Sequence, residues 1–166
     1  YRSQADAFAD MAAYAMGFGG LVADGTTERV WLTYVSGNYF SMLGLTPAAG
    51  RLIRSDEGRV AGADPVLVLS HTYWHRRFSG DPSVVGKVVR LNGRPCTIVG
   101  VAPEGFHGTY SFVDFDVFTP LSMIATDPAW GDSWWSRAYG SLIVLGRLKH
   151  GLSLPEAQAS LDVVIP

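Results

Sequence analysis

The chain has 166 residues, 48% of them hydrophobic, and its 13 basic and 15 acidic residues give a formal net charge of −2. This composition excludes a disordered chain and suits one domain, or two small lobes that share a core. Lys87 and Lys149 are the sole lysines, so the chain has no basic stripe for a phosphate backbone and nucleic-acid binding is disfavoured. With Cys96 as the sole cysteine, an intramolecular disulfide is excluded.

The N-terminal part predicts a helix over residues 3–13, followed by strands over residues 14–22 and 29–35 that a polar turn joins. The uncharged stretch at residues 11–23 is 13 residues long and contains three glycines. A helix that spans a membrane needs about 20 apolar residues, so we expect no span within this chain. A further short helix is predicted over residues 38–43, where Gly44 ends it.

A polar loop at residues 54–65 leads into the clearest local predictions. The continuous apolar run at residues 66–69 predicts a strand that is buried on both faces. Ser70 then stands at the N-cap of a predicted helix that Gly80 ends, with an apolar stripe of His71, Trp74 and Phe78. Asn92-Gly93 is the preferred pair for a type I′ turn, so residues 87–101 predict a two-stranded hairpin.

The C-terminal part predicts one more strand over residues 113–119, which Pro120 ends, and a long irregular segment over residues 121–138. Residues 141–148 predict another buried strand. Residues 153–163 predict an amphipathic helix with three inward side chains, Leu154, Ala157 and Leu161.

These elements predict an α+β (mixed α/β) fold, with a twisted, mostly antiparallel or mixed sheet on which short helices pack. Because the hairpin interrupts any regular alternation of strands and helices, a doubly wound parallel sheet is disfavoured.

Four patterns resemble catalytic or binding motifs, and each has a simpler structural interpretation. His71 and His75 lie four residues apart on a helix, but zinc sites use three or four ligands and no third lies at a fitting spacing. Asp114 and Asp116 share one strand face, as glycosidase carboxylates could, although any half-exposed strand shows this alternation. We therefore predict no metal site and no catalytic residue.

Residues 80–87 (GDPSVVGK) depart from the phosphate-binding loop, because five residues separate the glycines and Val88 replaces the hydroxyl that binds magnesium. Residues 131–133 (GDS) resemble the start of a lipase serine motif, but two tryptophans follow and no complete motif occurs. We expect no nucleotide and no other cofactor.

Three tryptophans in the irregular segment, Trp130, Trp134 and Trp135, are the best functional candidates. Large aromatic side chains in a long loop can anchor a partner or an apolar cargo, since they carry much of the energy of recognition. Alternatively, they fold back and cap the core.

Four blocks of sequence, in order, resemble one family. They are residues 38–53 (NYFSMLGLTPAAGRLI), residues 66–101, residues 116–123 (DVFTPLSM) and residues 146–161 (GRLKHGLSLPEAQASL). Together they resemble the periplasmic core domain of MacB-like ABC-transporter permeases of the FtsX-like superfamily, and especially the orphan-permease branch of soil bacteria.

The resemblance implies a fragment of a longer membrane protein, residues 1–166 forming a domain inserted between the first two transmembrane helices. It places the domain on the periplasmic, extracytoplasmic face of the inner membrane. The implied partners are its own transmembrane helices, a cytoplasmic ABC ATPase, a second permease copy and a periplasmic adaptor. Asp116 matches a family aspartate that looks structural.

The family implies that ATP-driven motion of the transmembrane helices moves this domain, without catalysis, during export. We expect any additional lobe of longer family members to be short or absent here, and residues 102–112 and 121–139 are where a remnant would lie. Two alternatives stay open: a module that binds or senses a peptide or another ligand, and a hydrolase that uses Asp114 and Asp116.

Overall fold

The computed structural model describes residues 7–110, 112–130 and 142–162. The elements are β1 (Phe8–Ala23), β2 (Thr26–Val35), α1 (Tyr39–Leu43), β3 (Ala49–Gly50), β4 (Val66–Leu69), α2 (His71–Phe78), β5 (Val88–Leu91), β6 (Arg94–Val101), β7 (Val117–Pro120), β8 (Ile143–Leu148) and α3 (Leu154–Asp162). Short 3₁₀ helices occupy Pro82–Val84 and Leu121–Thr126.

Six of the described strands close into a small barrel, in the order β1, β2, β7, β4, β6, β5 and back to β1. The β2–β7 and β4–β6 pairs are parallel, and the other neighbours are antiparallel. The predicted mixed α/β class, a mixed sheet with short helices, is therefore confirmed.

The barrel closes at a short seam between β1 and β5. Only two Cα pairs are registered there, Leu21 with Leu91 and Val22 with Arg90. Beyond the seam β1 continues outside the barrel, where its first half pairs with β8. Tyr14 has partners on both sides, Val35 in β2 and Ile143 in β8, so β8 lies on the same edge of β1 as β5.

The barrel interior holds the main hydrophobic core. Inward side chains of alternate strand residues fill it, among them Leu21, Val30, Leu32, Tyr34, Leu67, Leu69, Ile98 and Val117. Gly19 also faces inward, and a Cβ there would lie 2.9 Å from Leu91 Cδ1. Because residue 19 is a glycine, the Leu91 side chain of β5 can occupy this part of the barrel interior.

A second apolar cluster covers part of the outer face of the barrel. α1 contributes Tyr39 and Phe40, which pack with Tyr14, Phe106 and Phe118. The Phe40 and Phe118 rings meet edge to face, with centroids 5.4 Å apart. One outward face of β1, β2, β4 and β7 is thus buried at this end of the barrel.

The structure agrees with the predictions that depend on local chemistry. Asn92 and Gly93 turn the predicted hairpin with φ values of 49° and 82°, and α1 ends at Gly44 in the left-handed region. Ser70 caps α2 by accepting a hydrogen bond from the Tyr73 amide. Tyr73, which was absent from the predicted stripe, is the residue of α2 that is fully buried.

Three predictions about the chain ends are wrong. Residues 8–13 form a strand rather than a helix, because they pair with β8. β8 is not a buried strand: Val144 is 55% exposed, since β8 has no neighbour on its second edge among the described strands. Leu154 is 76% exposed rather than inward, whereas Ala157 is buried as predicted. The side chain of Leu161 lies outside the described part.

A candidate partner-binding surface

Two large aromatic side chains lie side by side on the outer face of the β1–β2 hairpin. Phe18 and Trp31 are directly paired across the strands, with ring centroids 3.9 Å apart. They are 41% and 37% exposed. Val30 and Leu32 point into the barrel, so strand alternation directs Trp31 outward.

Arg29 completes this group, which we call the aromatic face: Phe18, Arg29 and Trp31. Its guanidinium lies over the Phe18 ring, 4.0 Å from the centroid, in a cation–π contact. Arg29 is exposed and makes no ion pair with any residue in the described part of the chain. The face therefore presents a cation on an aromatic platform.

Two open hollows flank the aromatic face, and Arg29 lines both. The apolar hollow, of about 510 Å³, lies beside Phe18 and is walled by the Asn92 turn and residues 127–129. The polar hollow, of about 460 Å³, lies beside Trp31 and includes Thr72, Arg76, Phe112, Asp114 and Asp116. Phe112 is 88% exposed at its rim.

Asp116 holds the backbone of the aromatic face in place at Trp31. Its carboxylate accepts a hydrogen bond from the Trp31 amide at 2.9 Å and pairs with the Arg76 guanidinium at 3.0 Å. Arg76 and Arg77 also pair with Glu28, to which the Tyr73 hydroxyl donates. Burial, together with the nearby Glu28 carboxylate, raises the pKa of Tyr73, so this hydroxyl stays a donor. The network ties α2 to the backbone of β2.

The segment that walls the apolar hollow is fixed at the end of the barrel. The buried Tyr34 hydroxyl donates a hydrogen bond to the Asp127 carboxylate. Burial is the larger cause of the raised pKa of Tyr34, and this hydrogen bond is the next. Asp127 also accepts from the Ala129 amide at 2.9 Å. Pro128 and Ala129 are thereby held beside Phe18.

Trp130 follows this segment and packs against the barrel core. It is partly buried, and its ring meets Tyr34 edge to face at 6.2 Å. Trp134 and Trp135 lie outside the described residues. The contact of the three predicted tryptophans with a partner or cargo therefore stays a prediction.

The two aspartates of the hydrolase alternative have different surroundings. The Asp116 carboxylate is largely buried and neutralised by Arg76, whereas the Asp114 side chain is 77% exposed and faces His107 Nδ1 at 3.4 Å. His71 and His75 lie with ring centroids 4.6 Å apart on α2. Within residues 7–110, 112–130 and 142–162, no three metal-binding side chains come together.

Residues 80–87 form a turn rather than a phosphate-binding loop. Asp81 caps the 3₁₀ helix Pro82–Val84 through the Ser83 amide, and the Trp74 indole donates to the Asp81 carbonyl at 2.9 Å. The GDS motif at residues 131–133 lies outside the described part. No helix among the described residues has the length and apolar character needed to cross a membrane.

The aromatic face was missed at the level of sequence, although a signal for it exists. Val30 and Leu32 flank Trp31, and strict alternation in a strand directs the middle residue to the opposite face from its neighbours. Phe18 has glycines at residues 17 and 19, which places the one large side chain on the outward face. A search of each predicted strand for large apolar residues that alternation directs outward would have identified Phe18 and Trp31.

The family model of the MacB-like periplasmic core domain matches residues 2–164. The macrolide export ATP-binding/permease protein MacB of Escherichia coli (strain K12) is 29% identical over 127 residues. MacB of Shigella dysenteriae serotype 1 (strain Sd197) shows the same identity over the same length. The matched part is 76% of this chain but only 18% of either relative, so this chain spans about a fifth of their length.

Solved structures show the same fold at low sequence identity. The periplasmic region of MacB from Actinobacillus actinomycetemcomitans superposes with a TM-score of 0.73 at 20% identity, covering 98% of this chain and 68% of that one. The extracellular domain of the transporter YknZ from Gram-positive bacteria gives 0.65 at 18%, covering 95% and 73%. This chain therefore belongs to the MacB-like periplasmic core domain family, the periplasmic part of an inner-membrane ABC permease.

Proposed function

We propose that this domain acts without catalysis, as a stiff body that couples the motion of transmembrane helices to periplasmic events in export or efflux. Its partners would be its own transmembrane helices, a cytoplasmic ABC ATPase and a second copy of the permease, with a periplasmic adaptor as a further candidate. The observation that supports this proposal is the closed barrel that β1 and β8 extend.

A closed barrel suits a mechanical role because none of its six strands has a free edge along which it can slip. Two apolar clusters fill its inside and cover part of its outside, and close packing transmits displacement instead of absorbing it. The first and last strands of the described chain, β1 and β8, are adjacent, since Phe8 pairs with Leu148. Motion at this end would therefore reach the whole barrel.

The proposed lack of catalysis agrees with the surroundings of the two aspartates. An acid–base pair needs carboxylates that hold or release a proton at the reacting bond. Asp116 is instead occupied by Arg76 and the Trp31 amide, and it holds structure together. A substrate would have to displace both of these partners.

The test measures distances within and between copies of the full-length permease in nanodiscs. Nitroxide labels at Val88→Cys and Val144→Cys use two exposed strand positions, in β5 and β8, which pair with different parts of β1. Cys96 is buried and burial raises the pKa of its thiol, so this cysteine of the domain stays unlabelled.

We expect ATP to change the distance between Val88 labels on two copies, while the Val88–Val144 distance within one copy stays constant. Doubly labelled copies diluted with unlabelled ones isolate the distance within a copy. A constant distance between copies in all nucleotide states, or a change within a copy, would contradict the proposal.

A second candidate function is a module that binds a peptide or another ligand. The apolar hollow supports it, because a concave apolar surface beside exposed aromatic rings is typical of binding sites. The proposed contact of Trp130, Trp134 and Trp135 with cargo belongs to this candidate. If each single tryptophan-to-alanine variant exported cargo as well as the unchanged permease, the proposed contact between these tryptophans and cargo would be wrong.

A further inference from the structure

The proposed coupling of helix motion to periplasmic events does not require the aromatic face. We infer that Phe18, Arg29 and Trp31 form a docking site for an extended, largely apolar segment of a partner protein that carries one or a few carboxylates. An apolar side chain of that segment enters the apolar hollow, and a neighbouring carboxylate binds Arg29. This inference goes beyond the proposed function and does not depend on stiffness of the domain.

The first argument is the uncovered position of the two rings. Farther along the same outward face of β1 and β2, Tyr14 and Val35 are buried beneath the second apolar cluster. Phe18 and Trp31 continue that face but are 41% and 37% exposed. Paired large aromatics at the surface are typical anchors of protein interfaces, because their burial releases much free energy.

The second argument is charge complementarity. Arg76 and Arg77, on α2, are paired with Glu28 and Asp116, whereas Arg29 has no carboxylate partner among the described residues. Its guanidinium lies over the Phe18 ring, which orients it and leaves its edges available as hydrogen-bond donors. The ligand group that suits an oriented, exposed guanidinium is a carboxylate, bound through two parallel hydrogen bonds.

The third argument is the arrangement of the hollows. Arg29 lines both, so a carboxylate bound to it lies between a mostly apolar depression and a polar one. Both hollows are open to solvent, whereas sites for small molecules enclose most of the ligand surface. A run of side chains on an extended backbone fits such an open surface.

A lipid surface fits these observations less well. Membrane-surface sites collect several lysines and arginines to meet anionic headgroups. The two lysines of this chain lie elsewhere, and the polar hollow contains the acidic side chains of Asp114 and Asp116. The surface therefore favours a protein segment that carries few negative charges.

The experiment selects short random peptides displayed on phage, with the full-length permease in nanodiscs as target and empty nanodiscs for counter-selection. We expect enriched peptides to combine Asp or Glu with Leu, Phe or Trp. Arg29→Glu should weaken their binding about tenfold or more, since a charge-assisted hydrogen bond is lost and repulsion is added. Phe18→Ser with Trp31→Ser should abolish it.

Two control variants change the same residue types away from the face. Arg59→Glu alters another exposed arginine, and Val88→Ser alters another exposed apolar residue; each should leave affinity within about twofold. A sharper arm replaces the acidic residues of each selected peptide by lysine. Arg29→Glu should bind the lysine peptides better than the unchanged protein does.

Three results would overturn the inference. The first is enrichment no greater on the permease than on its Phe18→Ser, Trp31→Ser variant. The second is enriched peptides that bind Arg29→Glu as well as Arg59→Glu. The third is binding to vesicles with anionic lipid, but to no peptide, that Arg29→Glu abolishes. Circular dichroism and urea midpoints equal to those of the unchanged protein establish that each variant is folded.

Discussion

Single residues fix the relation between neighbouring elements through buried or partly buried charges. Asp116 binds a β2 amide and an α2 guanidinium, and Glu57 performs a similar role in the loop of residues 54–65. The Glu57 carboxylate accepts two hydrogen bonds from the Arg51 guanidinium, at 2.9 and 2.7 Å, and one from the Arg54 amide. It therefore holds this loop in one conformation.

This arrangement predicts a pH dependence of stability. Burial alone would raise the pKa of Glu57, but the hydrogen bonds from Arg51 and the Arg54 amide outweigh it, and the pKa lies below its ordinary 4.5. The ionised carboxylate thus stabilises the folded state above that ordinary value, and this stabilisation is lost as the pH falls through the lower pKa of the folded state.

We expect Glu57→Gln to lower the urea midpoint at neutral pH and to flatten its decline under acid conditions. The loss at neutral pH should be about 1–3 kcal/mol, because charged hydrogen bonds are removed. Asp56→Asn is the matched control, since the Asp56 side chain is 67% exposed and its change should stay within about 0.5 kcal/mol. The prediction would be contradicted if the urea midpoints of Glu57→Gln and of the unchanged protein fell equally steeply as the pH is lowered.

Residue chemistry of this kind was only partly predictable from sequence. The cap at Ser70 and the turn at Asn92-Gly93 depend on neighbours within three residues, so sequence sufficed. The bond from the Trp31 amide to Asp116 joins residues 85 positions apart, and no local pattern indicates it. Strand alternation indicates the outward direction of Phe18 and Trp31, but the two hollows beside them combine distant segments and have no local signal.

At the scale of elements, strand pairing over a long sequence distance outweighs the local helix propensity of residues 8–13. Residues 8–13 include several alanines, which favour a helix, yet they form the first part of β1. Their partner β8 lies more than a hundred residues away in sequence, and the β1–β8 ladder registers six Cα pairs. Strand pairing supplies hydrogen bonds and contacts that exceed a propensity of a few tenths of a kcal/mol per residue.

The close approach of the β3 segment to β6 requires a residue without a side chain. At Gly100 in β6, a Cβ would lie 2.0 Å from the Arg51 carbonyl oxygen and 2.7 Å from that of Ala49. The segment that contains β3 runs antiparallel beside β6 at this point, since Ala49 pairs with Val101 and Gly50 with Gly100. Both obstructing atoms belong to the backbone, so neither can rotate away.

Gly100→Ala should therefore lower the free energy of unfolding by about 1–3 kcal/mol or more, through displacement of this segment. Urea unfolding measures it. Gly20→Ala, in β1, is the matched control, because the nearest atom to a Cβ there is 4.0 Å away. Equal midpoints for the two variants would show that the segment moves aside without cost.

At the scale of the whole molecule, the barrel is least secure at its seam. The seam joins β1 to β5 by two registered pairs, while β1 and β2 share ten. Asn92 adds to the seam, since its amide donates to the Gly20 carbonyl and its side-chain oxygen accepts from the Gly20 amide at 2.8 Å. Barrel closure was not predicted, because no single segment encodes it.

We expect native-state hydrogen exchange to show that the barrel opens first at this seam. Asn92→Gly keeps the positive φ of the turn but removes the side-chain bond to Gly20. Amides at Arg90 and Leu91 should then exchange faster, while those of Val30 and Leu32 in the β1–β2 hairpin change little. A uniform increase over all strands would instead indicate loss of global stability.

The pairing of Phe8 with Leu148 has a consequence for how load is distributed. A single strand between two bodies twists freely about its own axis, but two hydrogen-bonded strands form a ribbon that resists torsion. Under the proposed coupling, a turn imposed on β1 would be shared by β8, so the barrel would rotate together with this ribbon. Under that proposal, the ribbon would also set the direction in which the aromatic face points.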